Sequence, residues 1–66
     1  MKIVLTEVEH DNGAVSIGAS ALVGNQLHSC HRLVDVYGLS EKQAHFHKNY
    51  TRNVVTRELI EKLYPE

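Results

Sequence analysis

Four cations, Lys42, Lys48, Arg52 and Arg57, stand in a stretch that holds no acid between Glu41 and Glu58, with His45 and His47 among them. Ammonium and guanidinium groups at that density suit phosphate oxygens, while the side chains of Gln43 and Asn49 are of the type that reads base edges. The acids lie elsewhere: Glu7, Glu9 and Asp11 face only Lys2 in the first eleven residues. A net charge of −1 at pH 7 therefore conceals an uneven molecule with a basic second half. Such asymmetry points to nucleic acid, although DNA-binding chains are usually basic overall.

The other chemistry-bearing residues are five histidines and one cysteine: His10, His28, His31, His45, His47 and Cys30. His28-x-Cys30-His31 with His45-x-His47 can be written as a zinc site. On a helix, His28 and His31 share a face one turn apart, but His45 and His47 are about 200° apart at 3.6 residues per turn. Structural zinc sites carry closely spaced ligand pairs on loops or turns, so the spacing predicts no metal and no cofactor. Cys30 falls on an apolar stripe, where a free thiol acts as a small hydrophobic group. Cys30 and His31 are adjacent and diverge on a helix, so they make no nucleophile–base pair. No glycine-rich phosphate loop is present, and a chain this small offers no shaped cleft, so no catalytic residue and no enzyme are expected.

These groups must be positioned by a short chain. Sixty-six residues form a single small domain, residues 1–66. A domain of this size buries only about 60% of its unfolded surface. A single cysteine excludes an internal disulfide and fits a reducing, cytoplasmic setting. There is no signal-peptide pattern and no apolar run of membrane-spanning length. With no visible staple, a homodimer is the expected source of extra buried area.

Lys2 to His10 reads as a strand, rich in β-favouring Ile3, Val4, Leu5, Thr6 and Val8. Asp11-Asn12-Gly13 is a hairpin turn, with positive φ expected at both Asn12 and Gly13. Ala14 to Ala19 returns with Val15, Ile17 and Ala19 on one face and Ser16 and Gly18 on the other. Val23, Leu27, Cys30, Val34 and Tyr37 are spaced four, three, four, three, which predicts a helix from a Ser20 cap to Tyr37, ended by Gly38 at the left-handed C′ position. Gly24-Asn25 is a soft spot that either bends this helix or divides it in two. Ser40 with Gln43 three residues on is a capping box, so the next helix begins at Glu41. Its apolar stripe is uneven, and a break near Asn53 with Thr56 as a new cap is one outcome. Pro65 ends the helical region.

The run Leu33-Val34-Asp35-Val36-Tyr37-Gly38-Leu39-Ser40-Glu41-Lys42-Gln43-Ala44 resembles the core of helix-turn-helix transcription regulators of the small plasmid and fimbrial-operon type. The resemblance covers about residues 30–52. It implies that Val34 and Gly38 serve the tight helix contact and turn, and that Leu39 and Ala44 point into the core. It also implies that Lys42, Gln43 and their neighbours meet the major groove. His47 departs from the pattern, which has an apolar residue there. A second resemblance is to ribbon-helix-helix proteins, with Val15-Ser16-Ile17 as the strand and Gly38-Leu39-Ser40 as the joint; Ser16 and Gly18 are poor base readers, which ranks it lower.

The sequence thus predicts an α+β fold: an N-terminal β-hairpin followed by two or three helices containing a helix-turn-helix. The function expected is a dimeric, double-stranded-DNA-binding transcriptional regulator acting through its basic second helix. Ser40, Lys42, Gln43, His45, Lys48, Asn49, Arg52 and Arg57 are the expected DNA-binding residues, with Lys48, Arg52 and Arg57 on phosphates. The alternative is a non-enzymatic modulator of the phage or plasmid type, which binds a host protein through a hairpin edge or its last helix.

Overall fold

The computed structural model describes residues 2–65. Three strands and one helix follow each other along the chain: β1 (Ile3–Glu9), β2 (Ala14–Val23), β3 (Gln26–Asp35) and α1 (Glu41–Leu63). The sheet is antiparallel in the order β1-β2-β3. The fold is α+β, as expected, but with one helix in place of two or three.

The first hairpin lies where the sequence put it. Its loop differs in detail: the His10 carbonyl accepts from the Gly13 N–H at 3.2 Å, and the His10 N–H donates to the Ala14 carbonyl at 2.9 Å. Only Gly13 has positive φ, at 87°. This is a three-residue loop with a glycine bulge, not a two-residue turn with both central residues left-handed. Asn12 helps through its side-chain oxygen, which accepts from the Ala14 N–H at 3.1 Å.

The helix expected from Ser20 to Tyr37 is absent. Ser20 lies inside β2, and Gly24-Asn25 is the two-residue loop of a second hairpin, bracketed by the Val23–Gln26 pair. Gly24 has φ +62° and, among the described residues, none other than glycine has positive φ, Asn25 included, which is the pattern of a type II′ turn. The physical reason is that His28, Ser29, Cys30 and His31 are mediocre helix formers. As a strand, the same segment closes a ten-pair ladder with β2. The four-three spacing of its apolar residues therefore marks no helical stripe. Cys30 and Val34 face the core while Leu27 faces outward. With this helix missing, residues 30–44 form neither a helix-turn-helix nor a ribbon-helix-helix.

Gly38 is left-handed as expected, at φ +79°, but it serves a different purpose. The Leu39 N–H donates to the Val36 carbonyl at 3.2 Å, closing a type II turn with Gly38 in its third position. The Asp35 carboxylate tightens the approach by accepting from the Tyr37 N–H at 3.0 Å. This turn connects a strand to α1.

The start of α1 is where the capping box placed it. Ser40 Oγ accepts from the Gln43 N–H, and Gln43 Oε1 accepts from the Ser40 N–H, both at 3.2 Å. The helix then runs unbroken for 23 residues. Thr51 and Thr56 do not interrupt it; their hydroxyls donate to the His47 and Arg52 carbonyls one turn back, at 2.9 and 2.8 Å.

The helix lies along β2 and β3. The core is small: Val15, Ile17, Ala19 and Ala21 of β2 against Val55 and Leu59 of α1. Ile3, Cys30, Val34, Val36 and Leu63 pack around it, half-buried. Leu39 and Ala44 are also half-buried, at the rim. The result is a slab of 41 × 22 × 16 Å, two layers thick. Among the described residues, no helix is long and apolar enough to cross a membrane.

Candidate functional site

The cations expected on DNA do not share a face. Lys48 and Arg52 turn down toward the sheet and meet Glu7 of β1. The Lys48 ammonium is 3.5 Å from one carboxylate oxygen, and the Arg52 guanidinium donates to the other. Burial pushes the Glu7 carboxyl up, but the Arg52 hydrogen bond and the charges of Lys48 and Arg52 outweigh it, and the pKa ends below its ordinary value. Ser40 and Gln43 are joined in the capping box. His45 and Asn49 are exposed on the flank above β1, Lys42 is exposed in the first turn, and Arg57 lies on the outer side of the helix. At about 100° per residue, these positions span more than half of the helix circumference. Lys42 and Arg57 have no ion-pair partner among the described residues.

The opposite border of the helix is also closed by an ion pair. Arg32 of β3 grips Glu58 through two hydrogen bonds, at 2.8 and 3.1 Å. The hydrogen bond and charge of Arg32 hold the Glu58 carboxyl below its ordinary range, and raise Arg32 in turn. Both pairs thus flank the helix and fasten it to the inner face of the sheet.

The histidines scatter. Successive side chains alternate across a strand, so His28 and His31 lie on opposite faces of β3. Among the described residues, no group of three or more His, Cys, Asp or Glu comes together around a point that would suit a metal ion.

The surface that sequence reasoning missed is the outer face of the sheet, away from α1. Alternation and register place Val4, Thr6 and Val8 of β1 there, beside Ser16, Gly18, Ser20 and Leu22 of β2. From β3 come Leu27, Ser29, His31, Leu33 and, at the end of the strand, Asp35. Of these only Asp35, at the edge, carries a formal charge at pH 7 with histidine neutral. Leu27 and Leu33, at opposite ends of β3, are 72% and 68% exposed. Val4 and Leu22 join Leu27 at one end in a shallow, mostly apolar pocket that Lys2 also lines. Val8 stands near Leu33 at the other, where His10 Nε2 and Ser16 Oγ are 2.8 Å apart.

The middle of this face is low. Gly18 lies between Thr6 and His31 in register, and both side chains lean over it. A Cβ on Gly18 would come within 2.7 Å of the His31 ring and 2.8 Å of the Thr6 hydroxyl. The face is thus a shallow polar trough of small side chains with apolar shoulders at each end. The signal for it was present in Leu27-x-Ser29-x-His31-x-Leu33, an alternation hidden by a second alternation, His28-x-Cys30-x-Arg32-x-Val34, on the inner side.

Comparisons with protein-family models, with curated proteins and with solved structures find no match to this chain, so the reading of its surface rests on its own geometry.

Proposed function

We propose that the chain is a non-enzymatic protein-binding module that presents the open face of its sheet to a partner protein. The observation that carries this reading is a sheet face with charge only at its two extremities, Lys2 and Asp35, and large apolar side chains left in solvent toward both ends. An antiparallel sheet with a solvated face normally alternates apolar inward with polar or charged outward. Here the outward positions between Lys2 at one end and Asp35 at the other hold valine, leucine, serine, threonine, glycine and histidine, without a Lys, Arg, Asp or Glu among them. Contiguous exposed apolar surface with a polar surround is a mark of protein–protein contact. The loss of charge at the centre of the patch is the compositional sign of an interface. Histidine, serine and threonine in the trough would supply hydrogen bonds to a partner's backbone.

A second reading, a DNA-binding regulator, is favoured by one observation, the unpaired cations Lys42 and Arg57. It would have to work with Lys48 and Arg52 drawn away from their pairing with Glu7. One experiment weighs the two readings. The tagged wild type, an Arg57→Ala variant and a Leu27→Lys/Leu33→Lys variant are used to capture protein from cells of the source, and are titrated in parallel with random duplex at about 50 mM salt, where phosphate contacts are strongest. The protein-binding reading expects one protein retained in fixed ratio by wild type and Arg57→Ala and lost with the double lysine variant. Duplex binding that weakens with Arg57→Ala, with no such captured protein, overturns it in favour of DNA.

A further inference from the structure

We infer that two copies of this chain pair through the outer side of α1, with their helices antiparallel. The outer stripe is Phe46, Tyr50, Asn53, Arg57 and Ile60, with Tyr64 at the C-cap one residue past the helix, spaced four, three, four, three, four. That is the spacing of a seam that meets another helix. It lies opposite the inner stripe of Thr51, Val55 and Leu59, which is buried against the sheet. The helix therefore carries two seams about half a turn apart, and only one of them is covered. Phe46, Tyr50 and Tyr64 are 66%, 63% and 62% exposed. A helix with solvent on its outer side ordinarily shows charged and polar residues there.

The order of residue types identifies the occupant. Read in either direction, the stripe runs aromatic, large apolar or aromatic, polar, polar, large apolar or aromatic, aromatic. An isologous twofold contact requires a surface complementary to itself. Turned about a centre at residue 55, the stripe places Phe46 against Tyr64 of the second copy, Tyr50 against its Ile60, and Asn53 against its Arg57. Arg57, the one charge in the seam, then lies beside an amide oxygen and near the face of the second copy's Tyr50, a favourable site for a guanidinium. The two Arg57 residues stand four positions apart, about 6 Å along the axis at 1.5 Å per residue, so they do not oppose each other.

The exposed area is consistent with a missing partner. A compact monomer of 7.5 kDa has an accessible surface of about 4,200 Å² by the usual scaling. This chain exposes 5107 Å², about 850 Å² more, an excess shared between the elongated slab, the open sheet face and the outer side of α1, where each partner of a standard interface contributes ~800 Å². Phenylalanine, tyrosine and arginine are also residue types enriched in such contacts. The pairing stands on the helix alone and leaves both sheet faces open, pointing away from each other, so its failure would not touch the reading of the sheet face.

The test is the mass in solution, by sedimentation equilibrium up to about 100 µM, a range that registers micromolar dissociation constants. The wild type is expected at twice 7.5 kDa. Tyr50→Glu/Ile60→Glu places like charges where the copies meet and should weaken dimerisation by at least about tenfold. Phe46→Ser/Tyr64→Ser should weaken it too, without introducing charge. All four positions are exposed, and circular dichroism would verify that each variant keeps its helix. The Leu27→Lys/Leu33→Lys variant should remain dimeric. A wild type that is monomeric throughout overturns the pairing, and so does a dimer that survives both helix variants or is lost with the sheet-face one.

Discussion

The two faces of the sheet are built from the same three strands and differ in almost every physical respect. The inner face holds the core cluster, Val15, Ile17, Ala19 and Ala21 under Val55 and Leu59, and its borders are fastened by ion pairs at Glu7 and Glu58. The outer face holds leucines and valines that nothing covers, with charge only at its two ends, Lys2 and Asp35. Apolar side chains inside the first face hold the fold together. Apolar side chains of the same types on the second contribute little to folding and are available to a partner. In so small a chain, hydrophobic content alone does not tell stabilising residues from binding ones; the position of the one helix does.

The largest effect should come from cutting the inner face. Leu59→Ala removes a fully buried side chain and should cost about 2–5 kcal/mol, as core truncations of leucine do. Leu33→Ala on the outer face should stay within about 0.5 kcal/mol. Urea unfolding of both variants measures the gap, and equal losses would mean that the outer face is part of the monomer's core.

Overfilling separates the faces more finely. Ala19→Val adds two methyl groups under the helix, where Ala19 is already fully enclosed, and should cost about 1–3 kcal/mol. Gly18→Ala, next to it on the outer face, forces the His31 ring and Thr6 hydroxyl aside. Both can swing toward solvent, so the thermal midpoint should fall less than for Ala19→Val. The reverse order would show the trough to be rigidly packed.

Removing the cap that sets where α1 begins should have an intermediate effect. Ser40→Ala leaves the Gln43 N–H without its acceptor and should cost about 1 kcal/mol, read from denaturant midpoints, with the binding of any sheet-face partner unchanged. A loss of partner affinity as large as the loss of stability would tie the outer face to the helix.

The smallest effect concerns pH. Glu7 and Glu58 both have folded pKa values below the ordinary 4.5. Each therefore adds stability above that value, which is lost as the pH falls through the lowered folded pKa. Glu7→Gln should flatten this acid limb, and Glu58→Gln should do so less, since Glu58 is the more exposed of the two. An acid limb unchanged in Glu7→Gln would mean that the bridge to Lys48 and Arg52 does not hold in solution.

Local signals were the legible part of this sequence. Asn12-Gly13 announced a hairpin, Ser40 with Gln43 announced the start of a helix, and both are there because each depends on residues three or four apart. The segment 20–37 was misread because it bears apolar residues on both sides. Leu27 faces outward, Cys30 and Val34 inward, and taken together they mimic a four-three helical spacing. Gly24-Asn25, taken as a soft spot in a helix, is a hairpin turn of a favoured type. The candidate site was hidden for the same reason. An exposed sheet face becomes visible only when the side of the helix is known, and the cations that drew attention in the sequence were partly matched to Glu7, 41 residues before Lys48 and 45 before Arg52.

The strand order has a further consequence for how the chain finds its shape. Every strand pairs with the one next to it in sequence, and the tighter of the two connections is only two residues long. Loop-closure entropy is then small at each step, and a chain dominated by such near-neighbour pairings folds fast for its strand content. The central strand β2 carries four of the six core side chains and belongs to both hairpins. It is the natural seed of folding: a hairpin around it can form and re-form within microseconds, and the long helix, joined by one short turn, has only to settle on a template already drawn.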